Sequence, residues 1–383
     1  MICRRVQDIK PFIVMDVLER AQEMERAGES IIHLEIGEPD FETPEAVKQA
    51  AVEALKRGET RYTHSLGTRQ LREAICEYYA RNYGVTRLEP DQVLVTSGSS
   101  PAILVGMGTL VDPGDEVILT DPHYACYPNF IQFLDGIPKS IPVSEEDGFQ
   151  YRTEAIRKAL TSKTRAILIN SPANPTGNLL EADRMAEIAQ LGPMIFSDEI
   201  YHGLVYEGRA HSALEFTDNC IVFNGFSKQF AMTGWRLGYL IVPRPLIRTM
   251  QKVLQNFFIS ANSVAQAAAV IALTDSAVEA DVQRMRETYN RRRKFILERL
   301  REIGFGISVE PTGAFYAFAN AKRFTNDSYS FAFEILEKAG VGITPGVDFG
   351  AGGEGYVRFS YANSMANIAE GLRRIDEYLQ KRT

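Results

Sequence analysis

The sequence predicts an α/β fold, a mostly parallel central sheet wrapped by helices, with a smaller α+β domain beside it. Six short apolar runs, residues 92–96, 116–120, 165–170, 194–197, 220–224 and 237–242, are mostly separated by stretches of helical character such as 102–110 and 181–191. Strands that alternate with helices are joined by crossovers, which leave the strands parallel and their faces covered. The length of 383 residues, with 45% hydrophobic and 24% charged side chains, suits about two domains with a large buried core.

Before the first of these runs, residues 17–27 and 45–56 read as amphipathic helices. Residues 68–83 read as a third, with Leu71, Ile75, Tyr78 and Tyr79 at helical spacing. From 263 to 303 the pattern is helical throughout, rich in alanine and then in charge. Its run Arg291-Arg292-Arg293-Lys294 reads as a solvated helix face. Beyond it, strand-like runs at 313–318 and 356–361 mix with helices at 328–338 and 367–379. A large domain is therefore expected over residues 45–290, and a small one from residues 1–44 together with 291–383.

Composition excludes several functions. A net charge of −7 and a pI near 5.5 argue against a nucleic-acid binder, which would carry a basic patch. The four cysteines form no CxxC pair and the five histidines no metal-ligand spacing, so neither a zinc site nor a disulfide framework is expected. The longest apolar stretches, 103–111 and 267–273, fall short of the ~18–20 residues that span a bilayer, and the start lacks the apolar core of a secretory signal. A soluble, cytoplasmic protein with reduced thiols is expected.

The most informative stretch runs from Asn224 to Tyr239. A lysine that attacks a carbonyl must be held neutral among thin backbone, and Lys228 is flanked by Gly225, Ser227 and Gly234. The strand expected at 220–224 ends just before it, so its amine would project at the carboxyl end of the sheet, where open α/β sheets bind ligands. Asp198 follows the run that begins at Met194 and would reach the same edge, although taken alone it fits a helix cap equally well. Ser171-Pro172-Ala173-Asn174-Pro175-Thr176-Gly177 follows another strand as a rigid turn. Thr96-Ser97-Gly98-Ser99-Ser100-Pro101 joins a strand to a helix, whose N-terminus offers free N–H groups to an anion. Arg358, inside an apolar run, is either a structural ion pair or a receptor whose planar fork grips a carboxylate. The G-x-G-x-x-G match at Gly350–Gly355 is read as a flexible turn, because a strand follows it where a dinucleotide site needs a helix.

In this order, from about residue 30 to 361, the motifs resemble those of class I and II, fold-type I, pyridoxal-phosphate aminotransferases of the aspartate, alanine and aromatic kind. The resemblance implies pyridoxal 5'-phosphate as cofactor. It makes Lys228 the residue that bonds to the cofactor aldehyde and then shuttles the substrate proton. Asp198 would hold the pyridine nitrogen protonated, and Tyr201 and Asn174 would bond the phenolic oxygen. Ser99, Ser100 and Arg236 would hold the phosphate, Tyr124 would stack on the ring, and Tyr62 would reach the phosphate of a neighbouring subunit, making the active unit a homodimer. Gly37 in Glu35-Ile36-Gly37-Glu38-Pro39 would bring backbone close to the substrate α-carboxylate, which Arg358 grips beside Asn174. The implied reaction moves an α-amino group between an L-amino acid and a 2-oxo acid by a ping-pong route, with 2-oxoglutarate as the expected acceptor. C–S lyases, cyclopropane-forming synthases and decarboxylases share such a pocket, and a non-catalytic sensor is a more distant alternative. The segment Pro11-Phe12-Ile13-Val14-Met15 offers either an apolar wall to the substrate side chain or the buried stripe of a helix.

Overall fold

The computed structural model describes residues 2–7 and 9–382; Met1, Asp8 and Thr383 of the expected small domain lie outside the described residues. Seven strands form the central sheet. From edge to edge they are Val93–Thr96, Gly238–Ile241, Cys220–Gly225, Met194–Asp198, Thr164–Asn170, Glu116–Asp121 and Ile137–Pro142. Gly238–Ile241 is antiparallel to both neighbours, and the other pairs are parallel. Side chains along each strand alternate between two cores. Val95, Ile167, Ile195 and Val222 pack on one face, and Leu94, Leu168, Phe196 and Phe223 on the other. Burial on both faces is why these strands read as unbroken apolar runs.

Ile137–Pro142 was not expected as a strand. Pro138 and Pro142 obscure it in sequence, and it is tolerated because it is the sheet's edge, paired only with Glu116–Asp121. A second, antiparallel sheet of Thr344–Pro345, Tyr356–Ser360 and Tyr316–Asn320 lies beside the first. Helices Ser328–Ala339 and Met365–Arg382 share its core, and Ile32–His33 joins it by pairing parallel with Val341–Gly342. No helix among the described residues is long and apolar enough to cross a membrane.

Three expectations need correction. The helical stretch 263–303 is two helices, Ser263–Thr274 and Ser276–Ile303, divided at Asp275, whose carboxylate accepts from Ala277 N at 2.7 Å and so starts the second. That second helix runs unbroken through residue 290. The strand expected at 313–318 begins only at Tyr316, because Ala314 sits at φ +56°, in the left-handed region that breaks an extended run.

The basic run is the third correction. Arg291 and Lys294 are exposed, but Arg292 and Arg293 are buried. Arg292 Nη1 donates to Asp40 Oδ1 at 2.7 Å with its guanidinium over the Phe41 ring, while Arg293 Nη1 donates to Pro311 O at 2.8 Å and Nη2 meets Glu207. Arg293→Ala is therefore expected to destabilise the protein by at least about 1–3 kcal/mol, the cost of leaving the buried Pro311 carbonyl without a donor. Arg291→Ala in the same run should stay within about 0.5 kcal/mol. Urea unfolding of the two variants checks this, and equal midpoints would return the run to a solvated face.

Candidate active site

The parallel strands end at one edge of the large sheet, and their carboxyl ends supply the chemistry. Thr96 leads to Ser99 and Ser100, Asp121 to Tyr124, Asn170 to Asn174, Asp198 ends its own strand, and Gly225 leads to Lys228. Arg236 enters the same edge just before the antiparallel strand begins. Ser99, Ser100, Tyr124, Asn174, Asp198, Lys228 and Arg236, with Gly37, Tyr201 and Arg358, line a single cavity of about 350 Å³. Tyr62 does not; it stands 81% exposed on the surface. A larger cavity of about 690 Å³, lined by Arg81, Arg209 and Arg286 among others, contains none of the sequence-predicted residues. The sequence-predicted residues thus converge on the smaller one.

Lys228 Nζ donates to the backbone oxygen of Gly37 at 2.6 Å. Burial pulls its pKa down to about 8; Glu38 opposes this, and Arg358 and Arg236 add to it. The same cause acts in the opposite direction on Asp198, whose carboxyl burial pushes up to about 6. Tyr127 Oη, which donates to Asp198 Oδ2 at 2.6 Å, and Ile200 N, which donates to Oδ1 at 3.2 Å, both hold that pKa down. The Ile200 bond is the cap-like feature expected of this residue, and it coexists with a place in the cavity wall.

Arg358 is almost fully buried in the strand Tyr356–Ser360. Nη1 donates to Asn174 Oδ1 at 2.9 Å, and Nη2 donates to Glu35 O at 2.6 Å and Thr344 Oγ1 at 3.1 Å. Its plane is sandwiched between aromatic rings, with Tyr316 at 4.3 Å and Phe349 at 4.9 Å from the guanidinium carbon. Nε finds no partner among the described residues. Among the described residues its hydrogen-bond partners are amide, carbonyl and hydroxyl oxygens rather than a carboxylate.

The residues present fit a phosphorylated, planar cofactor. Helix Ser99–Leu110 begins after Gly98 at φ +106°, and a Cβ there would come 2.6 Å from Arg236 Nη2. A Cβ on Gly238 would come 2.6 Å from Ser99 N. Two glycines thus let a guanidinium approach the positive end of a helix, an arrangement whose charge and donors suit a dianion. Gly225 is also crowded, with a Cβ 3.1 Å from Leu237 O, but a side chain at Gly234 would meet open space. The expectation that Gly234 is needed for thin backbone is therefore withdrawn.

Sequence reasoning missed Tyr127 and Tyr316. Tyr127 follows Tyr124 by three residues, the spacing that puts both on one side of a helical turn, and that was its only signal. Tyr316 Oη lies 2.8 Å from Tyr201 Oη, and a Cβ on Gly37 would fall 2.1 Å from Tyr316 Oη, so that glycine is required for close approach. Phe12, Val14 and Met15 of that segment line the cavity, and Val14 is also buried in the stripe of helix Ile13–Arg26.

The chain belongs to the class I and II aminotransferase family, whose model matches residues 29–375. Its fold is that of the fold-type I aminotransferases, and members of the family use pyridoxal 5'-phosphate. A (5-formylfuran-3-yl)methyl phosphate transaminase of Methanocaldococcus jannaschii is 41% identical with 100% of each chain covered. An aspartate/prephenate aminotransferase of Thermus thermophilus is 38% identical over 99% of this chain and 98% of its own. The solved structure of Thermus thermophilus aspartate aminotransferase with maleate superposes with a TM-score of 0.94 at 38% identity, covering 98% of this chain and 99% of that one. The protein is thus a pyridoxal-phosphate-dependent aminotransferase acting on amino and keto acids.

Removing the Tyr127 hydroxyl takes away a bond that favours the ionised carboxylate. Tyr127→Phe is therefore expected to raise the Asp198 pKa above about 6 and to move the acid limb of the transamination pH profile upward. An acid limb that stays where it is in a folded variant would mean that another group controls it.

Proposed function

We propose that the chain moves the α-amino group of an apolar or aromatic L-amino acid to a 2-oxo acid by a ping-pong route, in a homodimer with shared active sites. The observation that carries this reading is Arg358, a buried cation whose Nε donor has no partner among the described residues, in the same cavity as the Lys228 amine with its lowered pKa. A planar guanidinium suits bidentate grip of an α-carboxylate, which both the amino acid and the oxo acid carry. The aldehyde named for the 41% identical relative carries a phosphate in place of a carboxylate, an anion a guanidinium also binds, so it belongs among the acceptors to be assayed.

Bound pyridoxal 5'-phosphate supplies an aldehyde that accepts the amino group and a pyridine ring that withdraws electrons from the substrate Cα. Ser99, Ser100, the helix N-terminus and Arg236 would hold its phosphate, and Tyr124, Tyr201 and Asn174 would hold its ring and phenolic oxygen. Asp198, buried and held by Tyr127, keeps a proton on the ring nitrogen, since a cation there restores the ionised form that burial disfavours. Lys228, with a pKa of about 8, is neutral often enough near neutral pH to take the proton from the substrate Cα and return it on the other side of the reaction. The Gly37 carbonyl that accepts from Nζ orients the amine.

Side-chain preference follows from the opposite wall. Phe12, Val14, Met15, Leu18, Ile36 and Ile103 line it, and the cavity's arginines, Arg236 and Arg358, are engaged by the phosphate and the α-carboxylate in this reading. An uncompensated distal carboxylate against that surface costs several kcal/mol. In steady-state assays with pyruvate, 2-oxoglutarate and the furan aldehyde phosphate as acceptors, apolar and aromatic donors are expected to match or exceed aspartate in kcat/KM. A tenfold preference for aspartate, about 1.4 kcal/mol, would overturn this preference. Arg358→Lys should raise KM for every amino acid and 2-oxo acid alike, because a point charge cannot reproduce the fork.

The dimer reading is supported by an exposed apolar patch. Tyr62, Phe257 and Ile259 are all exposed, and Thr63 N donates to Ser260 Oγ at 3.4 Å, which brings the two segments together. Tyr62 would then reach the phosphate of the partner's cofactor. Mixing inactive Lys228→Ala with inactive Tyr62→Ala protein should restore activity as subunits exchange. No recovery despite demonstrated exchange would argue for self-contained sites.

A further inference from the structure

The segment Gly346–Gly353, which contains most of the G-x-G-x-x-G match, holds three parts of the cavity at once. Asp348, which is buried, accepts from Ile13 N at 2.9 Å through Oδ1 and from Val14 N at 3.2 Å through Oδ2. These are the first two amides of helix Ile13–Arg26, whose own N-cap residue, Phe12, supplies no side-chain acceptor. The next residue, Phe349, lies under the Arg358 guanidinium, and its carbonyl accepts from His123 N at 2.9 Å. Gly350 sits at φ +109° where a Cβ would strike Asp121 Oδ1 at 2.4 Å, and Gly352 N donates to that same oxygen at 2.8 Å. The glycines thus serve close packing against the Asp121–Tyr124 turn rather than a phosphate.

The helix so capped carries Phe12, Val14, Met15 and Leu18 into the cavity, with the Phe12 ring edge-on to Tyr124 at 6.0 Å. We infer that Asp348 is a positioning residue, a latch supplied from more than 300 residues away in sequence that fixes the N-terminal helix as the wall against which a bulky apolar substrate side chain packs. A carboxylate on two orphan amides satisfies donors the helix cannot and places a negative charge at its positive end. On the other side, Asn129 Nδ2 donates to Lys10 O at 3.2 Å and Asn129 Oδ1 accepts from Lys10 N at 3.1 Å, so the chain just before the helix is pinned independently. Loss of the Asp348 bonds would then loosen the first helical turn rather than release the whole segment.

The inference rests on the proposed use of this wall for the substrate side chain, and the test separates the two. Hydrogen exchange of residues 12–18 in the full-length holoenzyme reads the latch without turnover, and wild-type donor selectivity reads the wall. Asp348→Ala is expected to speed exchange there, and Asp348→Asn, which keeps one acceptor, to speed it less. In Asp348→Ala, KM for phenylalanine should rise about tenfold, the size of effect a lost cap produces, while KM and kcat for alanine stay within about twofold. If Asp348→Ala does not fold, the Asn variant carries the same comparison at smaller amplitude. Unchanged exchange at Ile13 and Val14 would overturn the latch, and a parallel rise in KM for alanine and phenylalanine would overturn its role in selectivity by showing that Asp348 acts through Arg358.

Discussion

The guanidinium of Arg358 ties together stretches of chain that share little else. Its two terminal nitrogens reach the carbonyl of Glu35 in the N-terminal segment, Asn174 in the turn after the strand Thr164–Asn170 and Thr344 on the small sheet, with the rings of Tyr316 and Phe349 against it. Desolvating a cation costs several kcal/mol, and here carbonyl, amide and hydroxyl dipoles together with ring faces offset part of that cost. One buried residue therefore couples the N-terminal segment, the edge of the large sheet and the small sheet.

Burial sets the chemistry of the other charged groups. It lowers the Lys228 amine to about 8 and raises the Asp198 carboxyl to about 6, so two groups that would be fully ionised in water are both poised near neutrality. The neighbour Glu199 shows that burial alone does not make a site. Its carboxyl rises to about 7, yet it accepts from Ser197 Oγ, Ser212 Oγ, Ala213 N and Tyr79 Oη and lines no part of the cavity. Asp198 ends its strand and Glu199 begins the turn, so the two carboxyls diverge, one to the cavity and one to the packing of the loop at Ser212.

Much of this was legible in the sequence because the site is built from strand ends. Each of Ser99, Tyr124, Asn174, Asp198 and Lys228 lies within a few residues of an apolar run, so a local motif carried its position. What local motifs cannot carry is a partner far along the chain. The burial of Arg292 and Arg293 depends on Asp40, 252 residues away, and on Glu207, 86 residues away, and without those contacts a run of four basic residues reads as a solvated face. The Tyr201–Tyr316 contact spans 115 residues and was equally hidden. The edge strand Ile137–Pro142 was hidden differently, by prolines that would forbid it anywhere but the edge.

The same distinction explains the glycines. Seen in sequence, those at 225, 234, 350 and 352 are alike, and each was read through the nearest motif. In the fold, Gly234 faces open space, whereas Gly37, Gly98 and Gly238 each stand where one carbon atom would push a cavity residue, Tyr316, Arg236 or Ser99, out of place. Gly350 and Gly352 do the same for Asp121, three residues before the aromatic that faces the cofactor site. Glycine therefore marks function here where two elements must touch without a side chain between them, and the neighbour that would be struck says which residue the contact positions.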